Sequence, residues 1–100
     1  MNGNAIYVSL RDSESAKQAR KTDWWTVIKR IEREYGWKLE DMQGRSRMRP
    51  VVRARWALIA ALRERGWSLL RIGAFLNRDH TTVMYALRAQ AKLMEQANGL

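Results

Sequence analysis

The chain has 100 residues, 46% of them hydrophobic, and no cysteine. A chain of this length forms one small domain, and the lack of cysteine excludes disulfides, a thiolate nucleophile and thiolate-bound metals. No apolar run approaches the length of a membrane span, and the N-terminus lacks the build of a secretory signal peptide. We therefore expect a cytoplasmic protein with no membrane segment.

The formal net charge of +9 is concentrated in the C-terminal half. Residues 1–43 hold eight Lys/Arg and seven Asp/Glu, a net of +1, whereas residues 44–100 hold eleven and three, a net of +8. A basic half of this kind is typical of proteins that bind polyanions, most often nucleic acid. The alternative is a solvated basic surface that only aids solubility.

Residues 1–21 predict a flexible or partly helical N-terminal tail. A short apolar patch from Ala5 to Leu10 is followed by a polar run with almost no apolar stripe, and such low hydrophobicity favours disorder. The alternative is an arm that binds a partner or mediates dimerisation. We expect the folded domain to occupy residues 22–97.

Residues 22–35 predict the first helix, which Thr22 or Asp23 can cap and Gly36 can end. Its apolar residues recur at three- and four-residue steps. They are Trp24, Val27 or Ile28, Ile31 and Tyr35. We interpret the aromatic residues as core, with stacking on single-stranded bases as the less favoured alternative. A further helical turn at residues 39–43 ends at Gly44.

Arg45, Arg47 and Arg49 alternate along a predicted loop that ends at Pro50. We interpret this basic loop as an arm over a phosphate backbone, with one or two guanidiniums entering a narrow minor groove. Arginine suits this role because its planar fork is weakly hydrated. The alternative is a solvated basic loop.

Residues 50–65 predict a second long helix, with Pro50 at its first position. One side of it carries Val52, Trp56, Ile59, Ala60 and Arg63, with Leu58 and Leu62 beside them. Arg53 and Arg55 lie in its first turns, where cations oppose the helix macrodipole. We therefore predict that both contact phosphates.

Residues 68–76 predict a short helix capped by Ser68, with Leu69, Ile72, Phe75 and Leu76 as its apolar side. Gly73 costs a helix about 1 kcal/mol, which suggests a close approach between helices. Asn77 can adopt the left-handed conformation that a tight turn needs. Asp79 can then cap a last helix that runs to about Gln96.

The apolar stripe predicted for this last helix is Val83, Leu87, Ala91 and Met94, with Arg88 and Lys92 on the other face. Its N-terminal end carries an arginine, an acid, an imidazole and two hydroxyls, although a cap needs only one polar side chain. A short helix, a tight turn and a helix with this polar end are typical of a helix-turn-helix, whose second helix places its N-terminus in the DNA major groove.

The segment Arg78-Asp79-His80-Thr81-Thr82-Val83, with Ile72-Gly73 before it and Ala86 after it, resembles the signature of the DnaA family of bacterial replication initiators. The likeness is to the C-terminal DNA-binding domain of that family. It extends to the basic loop, to the start of the next helix at residues 52–55 and to the helix at residues 23–36. It covers residues 22–97.

This resemblance implies an all-α fold, a small helical bundle that contains a helix-turn-helix and is similar to the Trp repressor. It also implies binding to double-stranded DNA at a DnaA box. The implied base readers are Asp79, His80 and Thr81, which fits their hydrogen-bonding and methyl groups. Minor-groove contact falls on Arg45 or Arg47, with Arg49 in the same loop. The implied backbone contacts are Arg53, Arg55, Leu69, Arg78, Thr82 and Tyr85.

Several positions depart from the family pattern. The turn before Arg78 is one residue shorter than usual, and Leu76 and Asn77 stand where glycines are common. Trp56 occupies a frequent glutamine position, and Tyr85 stands where a histidine often contacts the backbone. We expect these changes to alter the preferred DNA sequence and to leave DNA binding intact.

The 100 residues contain no Gly-rich phosphate loop followed by Lys and Ser/Thr, so we expect no ATPase activity and no origin melting. We expect a free-standing phage, prophage or accessory protein, with an engineered fragment as the alternative. A transcriptional regulator is favoured over a competitor or helper at replication origins. The sequence leaves monomer and dimer open.

An enzyme is not expected, because the chain has one histidine, no cysteine and no second catalytic cluster. His80 is its only strong nitrogen ligand for a metal, and no cofactor is expected. The alternative to DNA binding is a protein-interaction module that engages the host replication initiator or another replication or transcription protein.

Overall fold

The structure, a computed structural model, describes residues 24–98 as five helices and the turns between them. Helix α1 spans residues 24–35, and it is followed by α2 (Leu39–Gln43), α3 (Arg49–Glu64), α4 (Leu69–Leu76) and α5 (His80–Asn98). No strand occurs in this part of the chain, which confirms the predicted all-α bundle. The tail at residues 1–21 and the cap at Thr22 or Asp23 lie outside the described residues.

The helix ends follow the local signals in the sequence. Gly36 has a φ of +78°, and its amide donates to the Glu32 carbonyl oxygen at 2.8 Å, as a glycine that ends a helix does. The Ser68 hydroxyl accepts from the Arg71 amide at 3.1 Å. Both predicted caps are confirmed, because each depends on residues within one turn.

The short helix α2 is held in place by carboxylates at its start. Glu32 of α1 accepts from the Leu39 amide at 2.7 Å, and Asp41 accepts from the Lys38 amide at 3.0 Å. The bond from the Leu39 amide is the main reason that the pKa of Glu32 is lowered. These bonds satisfy first-turn donors of α2, and Met42 becomes fully buried.

Helix α3 lies at the centre of the bundle and packs against α2, α4 and α5. Of the residues predicted to lie along one side of α3, Ile59 is buried, whereas Val52 and Ala60 are half-buried and Arg63 is exposed. The buried residues of α3 are Val51, Ala54, Arg55, Ala57, Leu58, Ile59, Ala61 and Leu62. A helix that packs against neighbours on several sides has a wide buried face. The hydropathy pattern alone therefore does not show where the middle of that buried face lies.

Helix α5 packs through Val83 and Ala86, which are fully buried. The predicted stripe through Ala91 and Met94 is wrong, since Ala91 is exposed and Met94 is 52% exposed. The packed face continues instead through half-buried Gln90 and Leu93. The predicted pair, Ala91 and Met94, and the observed pair, Gln90 and Leu93, both fit a 3.6-residue repeat. Packing against α3 selects the observed pair.

Aromatic side chains join α1 to α4. Trp24 meets Trp67 and Phe75 edge to face, with centroids 6.3 and 6.2 Å apart. Trp67 is 7% exposed, so it belongs to the core, whereas Trp25 is 46% exposed. Within residues 24–98 no helix combines the length and hydropathy needed to cross a membrane.

Candidate nucleic-acid interface

Helices α4 and α5 form a helix-turn-helix whose turn lies directly on α4. Asn77 is left-handed, with φ 59° and ψ 41°, and the Arg78 amide donates to the Gly73 carbonyl oxygen at 2.8 Å. A Cβ at position 73 would collide with the Arg78 carbonyl oxygen. The close approach predicted at Gly73 therefore involves the backbone of the turn.

Asp79 caps α5 through one carboxylate oxygen. Its Oδ1 accepts from the Thr82 amide at 2.9 Å and from the Thr81 hydroxyl at 2.6 Å. The bond from the Thr81 hydroxyl, followed by that from the Thr82 amide, lowers the pKa of Asp79 to about 2. The carboxylate is exposed and ionised at neutral pH, while the Thr81 hydroxyl hydrogen is already in use.

The exposed face at the start of α5 collects several predicted site residues. His80, Thr81 and Thr82 are exposed, and Tyr85 is 59% exposed. Thr81 and Tyr85 are four residues apart, so they lie on one side of the helix. Because this face points away from the buried residues of α5, it is accessible to a ligand.

Arg45, Arg47 and Arg49 are all exposed. Arg49 is the first residue of α3 and Pro50 follows within its first turn, so the loop itself is shorter than predicted. None of the three arginines has a carboxylate partner among residues 24–98. The loop and the first residue of α3 therefore present three positive charges without a carboxylate partner in this part of the chain.

Arg55 lies inside the protein, with 6% of its surface exposed. Its guanidinium donates to the carbonyl oxygens of Met42 at 2.7 Å, Ser46 at 3.1 Å and Gly44 at 3.4 Å. This geometry contradicts the predicted exposed phosphate contact, because the donors of Arg55 are directed at the backbone of the basic loop. A buried charged group keeps its charge only where such acceptors are supplied.

Arg78 is half-buried and makes a second set of bonds to the same region. It donates to the carbonyl oxygens of Leu76 at 2.7 Å, Gly44 at 2.6 Å and Gln43 at 3.3 Å. Burial lowers the pKa of both Arg55 and Arg78, and the charge of Arg78 lowers that of Arg55 further. The two arginines thus join the basic loop to α3 on one side and to the turn on the other.

Two side-chain amide groups strengthen the link between α2 and the helix-turn-helix. The Asn77 side chain donates to the Gln43 carbonyl oxygen at 3.2 Å. The Gln43 side chain in turn donates to the Phe75 carbonyl oxygen at 2.8 Å. The basic loop and the start of α5 are therefore parts of one hydrogen-bonded surface.

The model of the family described as "Bacterial dnaA protein helix-turn-helix" matches residues 25–89. The chain belongs to the bacterial DnaA helix-turn-helix family. The curated relatives include the chromosomal replication initiator proteins DnaA of Neisseria meningitidis and Neisseria gonorrhoeae. Each is 39% identical over 72 residues, which cover 70% of this chain and 14% of the relative. No solved structure gives a significant match.

The part of the chain that matches the DnaA family runs from α1 through the first half of α5, and so includes the basic loop and the turn. Within it, the start of α4 has a feature that the sequence reasoning missed. Leu69 is half-buried, as its place in the apolar stripe requires, whereas Leu70 beside it is 71% exposed. The signal was present, because Leu70 lies outside the apolar side predicted from Leu69, Ile72, Phe75 and Leu76.

Further exposed cations lie on the side of this DnaA-family domain that also carries Tyr85. Arg53 is exposed and lies with Arg88 and Lys92 in a groove between α3 and α5. The sequence placed Arg88 and Lys92 on a polar face but gave them no role. Within residues 24–98 no group of three His, Asp or Glu side chains is placed to hold a metal ion.

Proposed function

We propose that this domain binds double-stranded DNA in a sequence-specific way at DnaA-box-like sites. Helix α5 enters the major groove and the basic loop lies over the adjacent minor groove. The observation that carries the proposal is the bond from Arg78 to the Gly44 carbonyl oxygen, at 2.6 Å. It holds a loop with two exposed arginines, Arg45 and Arg47, against a helix that starts with exposed polar side chains.

The base contacts are assigned to Asp79, His80 and Thr81. The exposed Asp79 carboxylate is ionised, so it can accept from the exocyclic amine of cytosine, and His80 can donate to guanine. Because the Thr81 hydroxyl hydrogen is bonded to Asp79, its methyl group is the part left for a thymine methyl. Arg45 and Arg47 supply the minor-groove contact.

The backbone contacts are assigned to exposed groups around these base readers. Arg49, Arg53, Thr82 and Tyr85 keep that role, and the first-turn amides at Leu69 lack acceptors within α4, as the start of a helix requires. Arg55 and Arg78 are reassigned as positioning residues that fix the loop relative to α5. Phosphate contacts set affinity and orientation, whereas base contacts set sequence preference.

The biological role that fits best is occupancy of DNA sites by a phage or accessory regulator acting on the nucleoid in the cytoplasm. The 100 residues contain no phosphate loop of the Gly-rich type, so melting of DNA by nucleotide hydrolysis is not assigned to them. Transcriptional regulation is therefore favoured over origin opening.

Fluorescence anisotropy with two labelled duplexes tests the proposal. One duplex carries a DnaA-type box and the other carries the same bases in scrambled order. We expect the box to bind at least roughly 10³-fold more tightly, with an affinity that falls by about 0.9 log units per log unit of salt for each neutralised phosphate. Equal binding to both duplexes would contradict sequence-specific recognition. Salt-independent binding would favour a protein-interaction module.

A further inference from the structure

A groove of about 390 Å³ lies between α3 and α5, beside the proposed base-reading surface. Its charged residues are Arg53, Arg88 and Lys92, and among residues 24–98 no acidic side chain lines it. The remaining lining residues are Trp56, Tyr85, Ala89, Leu93 and Gln96. The groove therefore combines three cations with an aromatic and aliphatic wall.

The three cations of this groove have no carboxylate partner among residues 24–98. All three are exposed side chains. Like charges held in one groove repel one another, and the summed field of such a cleft concentrates anions. The arrangement suits a ligand with more than one negative charge.

The aromatic wall of the groove limits which anion fits. Trp56 and Tyr85 meet edge to face, with centroids 6.2 Å apart and planes at 71°. Tyr85 is 59% exposed, so its ring presents apolar surface next to the cations. A sugar-phosphate strand offers an anionic oxygen and an apolar ribose face at alternating positions, and it matches both parts of the groove.

The position of the groove along α5 separates it from the residues assigned to base reading. Thr81, Tyr85, Arg88 and Lys92 follow at steps of four, three and four residues, so they share one face. At a rise of about 1.5 Å per residue, Arg88 lies about 10 Å and Lys92 about 16 Å along the axis from Thr81. The two cations therefore lie about two to three helical turns beyond the end of α5 that is proposed to read bases.

We propose that this groove binds the phosphodiester backbone of DNA that flanks the recognised site. Arg88, Lys92 and Arg53 neutralise successive phosphates, and Trp56 with Tyr85 supports the intervening sugar. This inference rests on the proposed DNA-binding function and adds Arg88, Lys92 and Trp56 to the interface. It makes affinity depend on DNA outside the bases that are read.

The test compares duplexes that carry the box alone or the box with about three or six extra base pairs on each side. The variant is Arg88→Gln with Lys92→Gln, and the matched control is Arg33→Gln with Lys38→Gln, which removes the same charge from a different groove. Thermal unfolding checks that both variants fold, since all four side chains are exposed.

We expect the wild type and the control to bind the flanked duplex about tenfold more tightly than the bare box, with a salt slope steeper by about two units, because the flanks add two neutralised phosphates. The Arg88→Gln/Lys92→Gln variant loses this gain, and its salt slope falls by about two units. Its preference for the box over the scrambled duplex remains.

Three results would overturn the inference. One is an unchanged flank effect and salt slope in the variant. Another is an equal loss on the bare box, which would place the contacts inside the site. The third is a polyglutamate peptide that binds the wild type and not the variant while DNA binding is unchanged, which would assign the groove to an acidic protein.

Failure of the flanking-backbone inference can be distinguished from failure of the proposed box recognition. Box-selective binding without a flank effect overturns only the flanking-backbone inference. Unselective binding whose salt slope still falls by about two units in the variant keeps the phosphate groove and overturns the proposed box recognition.

Discussion

Arg55 and Arg78 both donate to the carbonyl oxygen of Gly44, at 3.4 and 2.6 Å. The two guanidiniums would repel each other, but they meet beyond the C-terminal end of α2, where carbonyl groups lack helical donors and the macrodipole is negative. The shared acceptor therefore offsets the repulsion. It also fixes the distance between the basic loop and the turn before α5.

Replacing Arg55 should cost stability as well as DNA binding. Arg55→Ala removes the Arg55 donor from the carbonyl oxygens of Met42 and Ser46, while that of Gly44 keeps Arg78. We therefore expect a loss of about 3 kcal/mol in the free energy of unfolding, measured by urea denaturation. Arg53→Ala is the matched control on the same helix, and its loss should stay within about 0.5 kcal/mol because the side chain is exposed. Equal losses in the two variants would show that the bonds of Arg55 contribute little.

Gly73→Ala should destabilise the fold even though alanine is the better helix former. The new Cβ would collide with the Arg78 carbonyl oxygen, and we expect a loss of about 2 kcal/mol from the forced backbone shift. Ala74→Gly, at the next and exposed position, should cost about 1 kcal/mol through helix propensity alone. A rise in the melting temperature of Gly73→Ala would mean that the turn can move away from α4 at no cost.

Asp79 should make stability depend on acid pH. Hydrogen bonds lower its pKa from 3.8 to about 2, so the folded state favours the ionised carboxylate. That contribution is present above the unfolded value and is lost as the pH falls toward 2. Asp79→Asn cannot titrate, so its unfolding free energy should fall less steeply between about pH 5 and pH 2.

Glu32→Gln provides the comparison for Asp79→Asn. The pKa of Glu32 is also lowered, so this variant should flatten the acid profile as well. Only Asp79→Asn should weaken binding to the box at neutral pH, because Glu32 caps α2 away from the proposed base readers. An acid profile of Asp79→Asn that runs parallel to the wild type would rule out its capping role.

Base reading and backbone contact should separate by their salt dependence. His80→Ala or Thr81→Ala should cost about 1–3 kcal/mol on the box and little on the scrambled duplex. Arg47→Ala should weaken binding to the scrambled duplex too and lower the salt slope by about 1. If His80→Ala loses the same affinity on both duplexes, the base-reading assignment fails.

The sequence alone predicted the helices, the glycine that ends α1, the caps at Ser68 and Asp79 and the left-handed turn at Asn77. These features depend on hydrogen bonds that span two to four residues, such as the bond from the Thr82 amide to Asp79. Such a bond can be predicted from the sequence when the residue type and its distance along the chain permit only one hydrogen-bonding geometry. The likeness of residues 78–83 to the DnaA-family signature is a resemblance in residue type and order, and it does not depend on these bonds.

Only the tertiary structure decided what Arg55 and Arg78 do. By hydropathy both arginines count as solvent-exposed, and both were predicted to contact phosphates. Their acceptors lie 9 to 13 residues away for Arg55 and up to 35 for Arg78. A side chain joins a carbonyl oxygen that distant only after packing of α2 between α3 and α4 has brought the backbone into reach, and no local pattern encodes that approach.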